Sequence, residues 1–354
     1  MLGAAISSLA LVLAAAPPPL ADVQTPPRQL PADAPRPGSL LVDRQGRPID
    51  SLAAWQRRRA ELRAAWLDFL GRMDADRPPI RLEIVESETV RSAEKPDVIR
   101  QLVRYQSEPG ETVRAYLLRP AAEAGRRPGV VALHSTTDET IRQPAGLAGD
   151  PHLAFGLHLA QRGMVVVCPE CFLWRGPGDL QDRTQRWLDS HPGKKGLAKM
   201  LFDASRAVDV LASLPDVDAD RLGAIGHSLG GKEVLYLAAL DERVRAAVSS
   251  EGGIDIGFSN WDADWYLSRA VHERDFARGH HELLALVAPR AFLLVGGDSA
   301  DGDRSWPHVA RALEVYDLFG RRPLGLLNHR AGHSLPADAE ERAYLWLEHY
   351  LADE

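Results

Sequence analysis

The feature that most constrains this chain is a pentapeptide, Gly226-His227-Ser228-Leu229-Gly230, set between two unlike patterns. Before it runs Leu222-Gly223-Ala224-Ile225, an apolar stretch that reads as a buried strand. After it, Lys232 to Leu240 has helical periodicity. Gly-x-Ser-x-Gly alone is a common match, but between a strand and a helix it describes a nucleophile elbow. The turn holds the serine in a strained conformation, and small residues two positions to either side relieve the crowding. Gly226, Gly230 and Gly231 meet that need. The helix N-terminus behind Ser228 favours negative charge that develops during attack. The competing reading is a Gly-rich turn without chemistry.

The rest of the chain has the alternation such an elbow requires. Gly129–Leu133, Met164–Cys168, Arg221–Ile225, Val244–Ser249, Ala291–Val295 and Leu324–Leu327 read as short strands buried on both faces. Leu153–Arg162, Leu197–Leu214, Gly230–Leu240, Trp306–Phe319 and Glu340–Leu351 read as helices between and after them. Strands alternating with helices imply an α/β fold with a mostly parallel, doubly wound sheet. Ahead of these lie strand-like runs at Ile80–Thr89, Val98–Ser107 and Val113–Leu118. Glu108-Pro109-Gly110-Glu111 separates the last two, which predicts an antiparallel N-terminal hairpin. Leu52 to Met73 carries Trp55, Leu62, Trp66, Phe69 and Leu70 at helical spacing and reads as a helical arm. The expected organisation is a signal peptide over 1–21, a disordered proline-rich linker over 22–50, the arm over 51–79 and one catalytic domain over 80–354.

A serine hydroxyl needs a base to remove its proton. In elbow-bearing folds the partners follow in the order Ser, acid, His. The histidine is therefore expected after the last strand, in Asn328-His329-Arg330-Ala331-Gly332-His333. His333 is preferred because Gly332 lets the loop turn the ring inward, and His329 is the reserve. The acid is expected after Phe292-Leu293-Leu294-Val295, where three aspartates compete. Asp303 lies four residues before Pro307, near the start of the next helix, whereas counting from the strand end favours Asp298. Glu251, in Ser249-Ser250-Glu251-Gly252-Gly253 after the preceding strand, is a further candidate. The oxyanion donors are expected at the backbone N–H of Leu229 and at Ser135 or Thr136, after Val130-Val131-Ala132-Leu133. His134 would brace that loop or line the pocket. Cys171-Phe172-Leu173-Trp174 and Asn260 to Tyr266 would cover the site, with Trp174, Trp261 and Trp265 as pocket walls. These tryptophans would otherwise simply pack their loops.

Composition excludes more than it selects. The formal net charge is -7, with 26% charged residues and no concentrated basic stretch, so no nucleic-acid partner is expected. Cys168 and Cys171 are the two cysteines, too few for a four-ligand zinc site, so no metal or cofactor is expected and strand-end packing is their plain role. Ala4 to Ala16 is apolar but too short to span a bilayer. With the proline-rich stretch after it, it reads as a secretory signal, the alternative being a cytoplasmic protein with a disordered tail.

From His134 to His333 the chain resembles α/β-hydrolases of the dienelactone hydrolase and acetyl xylan esterase-like group. The similar pieces are His134-Ser135-Thr136-Thr137, Pro144-Ala145-Gly146-Leu147, Leu159-Ala160-Gln161-Arg162-Gly163, the elbow through Lys232, and Ala288-Pro289-Arg290. The arm, with Trp55 and Arg57-Arg58-Arg59, looks like that of exported bacterial esterases of this group. The Ser-x-Gly-Gly-Lys segment with a following Ser-Glu-Gly-Gly is also similar to glucuronoyl esterases. The resemblance implies cofactor-free hydrolysis of a small-molecule or carbohydrate ester through an acyl-enzyme. In glucuronoyl esterases a glutamate at the position of Glu251 can serve as the acid, while Asp303, then Asp298, stays the preferred acid here; the resemblance also implies Lys232 as a group holding a substrate carboxylate, and the plain reading of Lys232 is a solvated helix residue. A prolyl-oligopeptidase-like peptidase and a non-catalytic binding protein on a hydrolase scaffold are the alternatives, and oligomeric state is open.

Overall fold

The computed structural model describes residues 21–73, 76–123 and 125–352. The strands are β1 (Glu83–Val90), β2 (Val98–Glu108), β3 (Glu111–Pro120), β4 (Arg127–Leu133), β5 (Val165–Pro169), β6 (Val217–His227), β7 (Val244–Ser250), β8 (Ala291–Gly296) and β9 (Leu324–Asn328). The helices are α1 (Leu52–Leu70), α2 (Phe155–Gln161), α3 (Leu180–Ser190), α4 (Gly196–Ser213), α5 (Leu229–Leu240), α6 (His280–Val287), α7 (Trp306–Leu318) and α8 (Ala337–Tyr350).

Among the described residues the strands form one nine-stranded sheet in the order β1-β2-β3-β5-β4-β6-β7-β8-β9. β5 through β9 run parallel to one another, and β1, β2 and β3 form an antiparallel edge joined to them through β3 and β5. This is the doubly wound α/β-hydrolase fold with its antiparallel N-terminal hairpin. Strands β4, β7 and β8 and the second half of β6, Leu222 to His227, are buried at nearly every position because helices cover both faces. One core lies under α1, α4, α5, α6 and α7, and the other under α2 and α8.

The helical arm is built into the first core. Trp55 and Trp66 are fully buried, and Trp66 Nε1 donates to Glu282 Oε2 at 2.8 Å. Arg63 donates to the carbonyl of Leu240 at the end of α5, and Arg59 to that of Leu286 near the end of α6. Both cations sit at the negative ends of helices, satisfying carbonyls that lack an intrahelical partner.

Two sequence expectations change. The linker over 22–50 is packed rather than free-standing: Val23, Leu40 and Ile49 are buried, and Val23 lies over Gly325 of β9. Its prolines suggest disorder, but those three apolar anchors tether it. Helices α3 and α6 are additions to the expected set. α3 turns Leu180, Thr184 and Trp187 inward, a stripe too short to stand out in a polar segment, while α6 is buried nearly all round and so lacks a periodic one. The expected signal over 1–21 falls, apart from Ala21, outside the described residues. No described helix is long and apolar enough to cross a membrane.

Candidate active site

Parallel strands deliver their C-terminal ends to one edge of the sheet, and the candidate residues gather there. Ser228 joins β6 to α5 with φ of 57° and ψ of -112°, a conformation a serine holds only under constraint. The constraint is visible in its neighbours. A Cβ at Gly226 would lie 2.4 Å from the backbone of Gly230, and one at Gly230 would lie 2.3 Å from the carbonyl oxygen of Leu133. The elbow is therefore pressed directly against the end of β4. The Ser228 N–H donates to the carbonyl of Ser250 on β7 at 2.8 Å, which anchors the turn from its other side.

His333 stands over Ser228, with Nε2 3.0 Å from Ser228 Oγ. Its loop turns back through Gly332, whose φ is 74° and whose N–H donates to the carbonyl of Gly297. His333 Nδ1 lies 3.2 Å from Glu251 Oε2. His329 does not join this chain; its Nδ1 accepts from the N–H of Ala331 and braces the same loop.

The structure places Glu251, rather than Asp303 or Asp298, against the histidine. Asp303 instead accepts from Asn328 at 2.8 Å and Arg330 at 2.6 Å. Asp298 also accepts from Asn328, and its other oxygen faces Arg330 at 3.4 Å. The third aspartate, Asp301, is wholly buried and accepts from the N–H groups of Gly253 and Ile254 and from Ser305. It thereby holds the loop that follows Glu251. The loop after β8 serves the acid with backbone donors: Gly297 N–H binds Glu251 Oε1, and Ala300 N–H binds Oε2 at 2.6 Å.

These donors decide the charge of Glu251. Burial alone would raise its pKa, but hydrogen bonds from His333, Ala300 and Gly297 outweigh burial and hold it below the ordinary glutamate value. A carboxylate at Nδ1 fixes the proton there, which leaves Nε2 as the acceptor facing Ser228. His227 packs its ring on His333 at 4.9 Å, and burial followed by the His333 charge pushes its pKa down to about 4. It is a neutral neighbour that sequence reasoning passed over as the variable position of the pentapeptide.

Leu229 opens α5, where a backbone N–H has no intrahelical acceptor. The Ser135 N–H is already donated to Gln143 Oε1 at 3.0 Å, as is its hydroxyl at 2.9 Å. Ser135 thus falls away as a donor and Thr136 remains. His134 is buried, accepts at Nε2 from the Cys171 N–H and pairs through Nδ1 with the carbonyl of Ser135. Burial drives its pKa down to about 4, so this neutral ring braces two loops. Cys168 and Cys171 are free thiols and both are buried.

Lys232 is buried rather than solvated, at 3% exposure, one turn beyond Ser228. Nζ donates to Ser259 Oγ at 2.8 Å and lies over the rings of Trp261 and Tyr266 at 5.2 and 5.1 Å. Burial pushes its pKa down to about 8, with Asp301 and Glu251 pulling the other way. Trp261 is fully buried and donates to the carbonyl of Gly253, so it floors Lys232 instead of forming an exposed wall. Trp265 and Trp174 are half-buried, and Trp174 sets its edge on His134 at 4.9 Å.

Residues 113–262 match the model of the dienelactone hydrolase family. YtaP of Bacillus subtilis (strain 168), described as a hydrolase, is 28% identical over 251 residues, 68% of this chain and 80% of that protein. A glucuronoyl esterase from Solibacter usitatus superposes with a TM-score of 0.72 at 19% identity, over 92% of this chain and all of that one. Acetyl xylan esterase 1 from Thermoanaerobacterium sp. JW/SL YS485 superposes with a TM-score of 0.55 at 18% identity, over 83% of this chain and 94% of that one.

Proposed function

We propose that this chain, whose residues 113–262 match the dienelactone hydrolase family model, is a serine carboxylic ester hydrolase acting on carbohydrate esters. The observation that carries this reading is the unbroken path from Ser228 Oγ through His333 to the buried Glu251 carboxylate. Ser228 attacks the ester carbonyl as His333 Nε2 takes its proton. Glu251 keeps the imidazole in the correct tautomer and stabilises it once charged. The N–H groups of Leu229 and Thr136 receive the oxyanion. Collapse expels the alcohol with the proton from His333, and water then releases the acid from the acyl-enzyme. The names of the superposed esterases support a sugar-borne ester. The apolar run from Ala4 to Ala16 supports export.

The test is an ester panel with wild type and Ser228→Ala: p-nitrophenyl acetate, acetylated xylan, a methyl glucuronate ester and an aminoacyl amide. Esters should turn over in the wild type, and kcat should fall on the order of 10⁵-fold in Ser228→Ala. Cleavage of the amide alone would point to a peptidase. A folded protein inert toward every substrate would point to a binding role.

Lys232 supplies a second check. Its ammonium exists below pH 8 or so and is lost above it. If it donates to a substrate oxygen, KM for a sugar ester rises as pH passes about 8 while KM for p-nitrophenyl acetate stays level. A constant ratio of the two KM values from about pH 7 to 9 would remove Lys232 from substrate binding.

A further inference from the structure

A second cleft opens on the loop that carries Trp174. It has a volume of about 370 Å³, and its walls include Arg175, Arg183, Arg186, Lys199, Trp187 and His191. Lys199 is paired with Glu108 and Asp203, and Arg175 with Asp203. Arg183 and Arg186 are different. Arg183 donates to the carbonyls of Gly176 and Leu173, and Arg186 to that of Pro177. Neither has a carboxylate partner among the described residues. They stand three positions apart on α3, which places them on the same helix face. Glu108 and Glu111 are the acidic residues of the wall, so cations outnumber carboxylates there.

Trp187 stacks on His191 with ring centroids 4.4 Å apart, which gives the cleft a flat aromatic side. Guanidinium groups left to carbonyls keep N–H donors for a planar carboxylate, which they bind better than an ammonium does. The cleft is also tied to the catalytic edge. Arg183 grips the carbonyl of Leu173, the residue before Trp174, and Trp174 rests on His134.

We propose that this cleft binds a free uronate carboxylate on the oligosaccharide chain that carries the scissile ester. The ester itself lies at Ser228, so the cleft reads a second, already ionised sugar of the same chain. This inference rests on the carbohydrate-ester reading for the identity of the chain, but its binding step is measured without turnover.

The experiment uses calorimetry on full-length Ser228→Ala, with a xylo-oligosaccharide bearing a free glucuronate and the neutral oligosaccharide of equal length as probes. The acidic probe should bind about tenfold more tightly at low salt, and the preference should shrink as salt screens the ion pair. Arg186→Ala should abolish the preference and Arg186→Lys should restore part of it. Arg186 is exposed and touches no catalytic group, so Arg186→Ala on the wild-type background should leave p-nitrophenyl acetate turnover unchanged. Equal affinity for both probes, or a preference that survives Arg186→Ala, would overturn the proposal. Selective binding by a protein that hydrolyses no ester would leave the cleft standing and sink the esterase reading.

Discussion

Glu251→Gln should lower kcat toward esters by about 10³-fold or more, while Asp303→Asn and Asp298→Asn leave it within about threefold. The glutamine side chain is isosteric but uncharged. It stabilises neither the imidazolium nor the Nδ1–H tautomer, and its amide group must compete for donors that now suit only one of its two ends. Those donors, Gly297 N–H and Ala300 N–H, are backbone groups and cannot rearrange. The two aspartates instead hold Arg330, whose side chain is 60% exposed, and such a pair contributes about 1 kcal/mol or less. Steady-state kinetics on the three variants, with circular dichroism to verify folding, makes the comparison. A larger loss in Asp303→Asn than in Glu251→Gln would return the acid to the loop after β8.

Gly230→Ala should damage both the fold and the chemistry. Its Cβ would lie 2.3 Å from the carbonyl oxygen of Leu133, 2.8 Å from the Leu133 carbonyl carbon and 2.9 Å from the His134 carbonyl oxygen. All three contacts are backbone, so the strand end must move away from the helix. Overpacking of this kind costs about 3 kcal/mol. The shift also carries the loop bearing Thr136 away from Ser228, and loss of one oxyanion donor lowers turnover about 100-fold. Gly38→Ala is the control, since a Cβ there meets nothing within 4 Å. Urea midpoints and ester kinetics on both variants separate the effects. An unchanged midpoint in Gly230→Ala would mean that β4 and the elbow are not pressed together as described.

The fold was readable where physics leaves a periodic or continuous mark. Apolar runs gave the parallel strands, and a strand, a serine turn and a helix gave the elbow. Helix α6 was missed because burial on all sides erases the stripe that marks an amphipathic helix, and α3 because its stripe of Leu180, Thr184 and Trp187 is short and set in a polar segment. The packed segment around Val23, Leu40 and Ile49 was missed because single anchors among prolines have no period. At the site, Ser228 and His333 were legible from local chain patterns. The acid was harder, because three aspartates in one loop outweighed a single glutamate in another. One signal was present: Ser249, Ser250 and Glu251 put polar side chains at the end of an apolar buried strand, where polar groups persist only with partners. Ser135 was misjudged because no local pattern reveals that Gln143, eight residues on, takes its N–H.

The carboxylate comes from one strand end and its hydrogen-bond donors from the next, with a consequence for how the loop after β8 can vary. Its contribution to the acid is made by peptide groups, so its backbone shape is constrained, and the buried Asp301 side chain on the same loop holds the segment after Glu251. Ser299, on that same loop, already places its hydroxyl 3.5 Å from His333 Nδ1. The histidine thus faces a socket reachable from two neighbouring strands. Which one fills it is a question of wiring, separable from the geometry of the serine and the base.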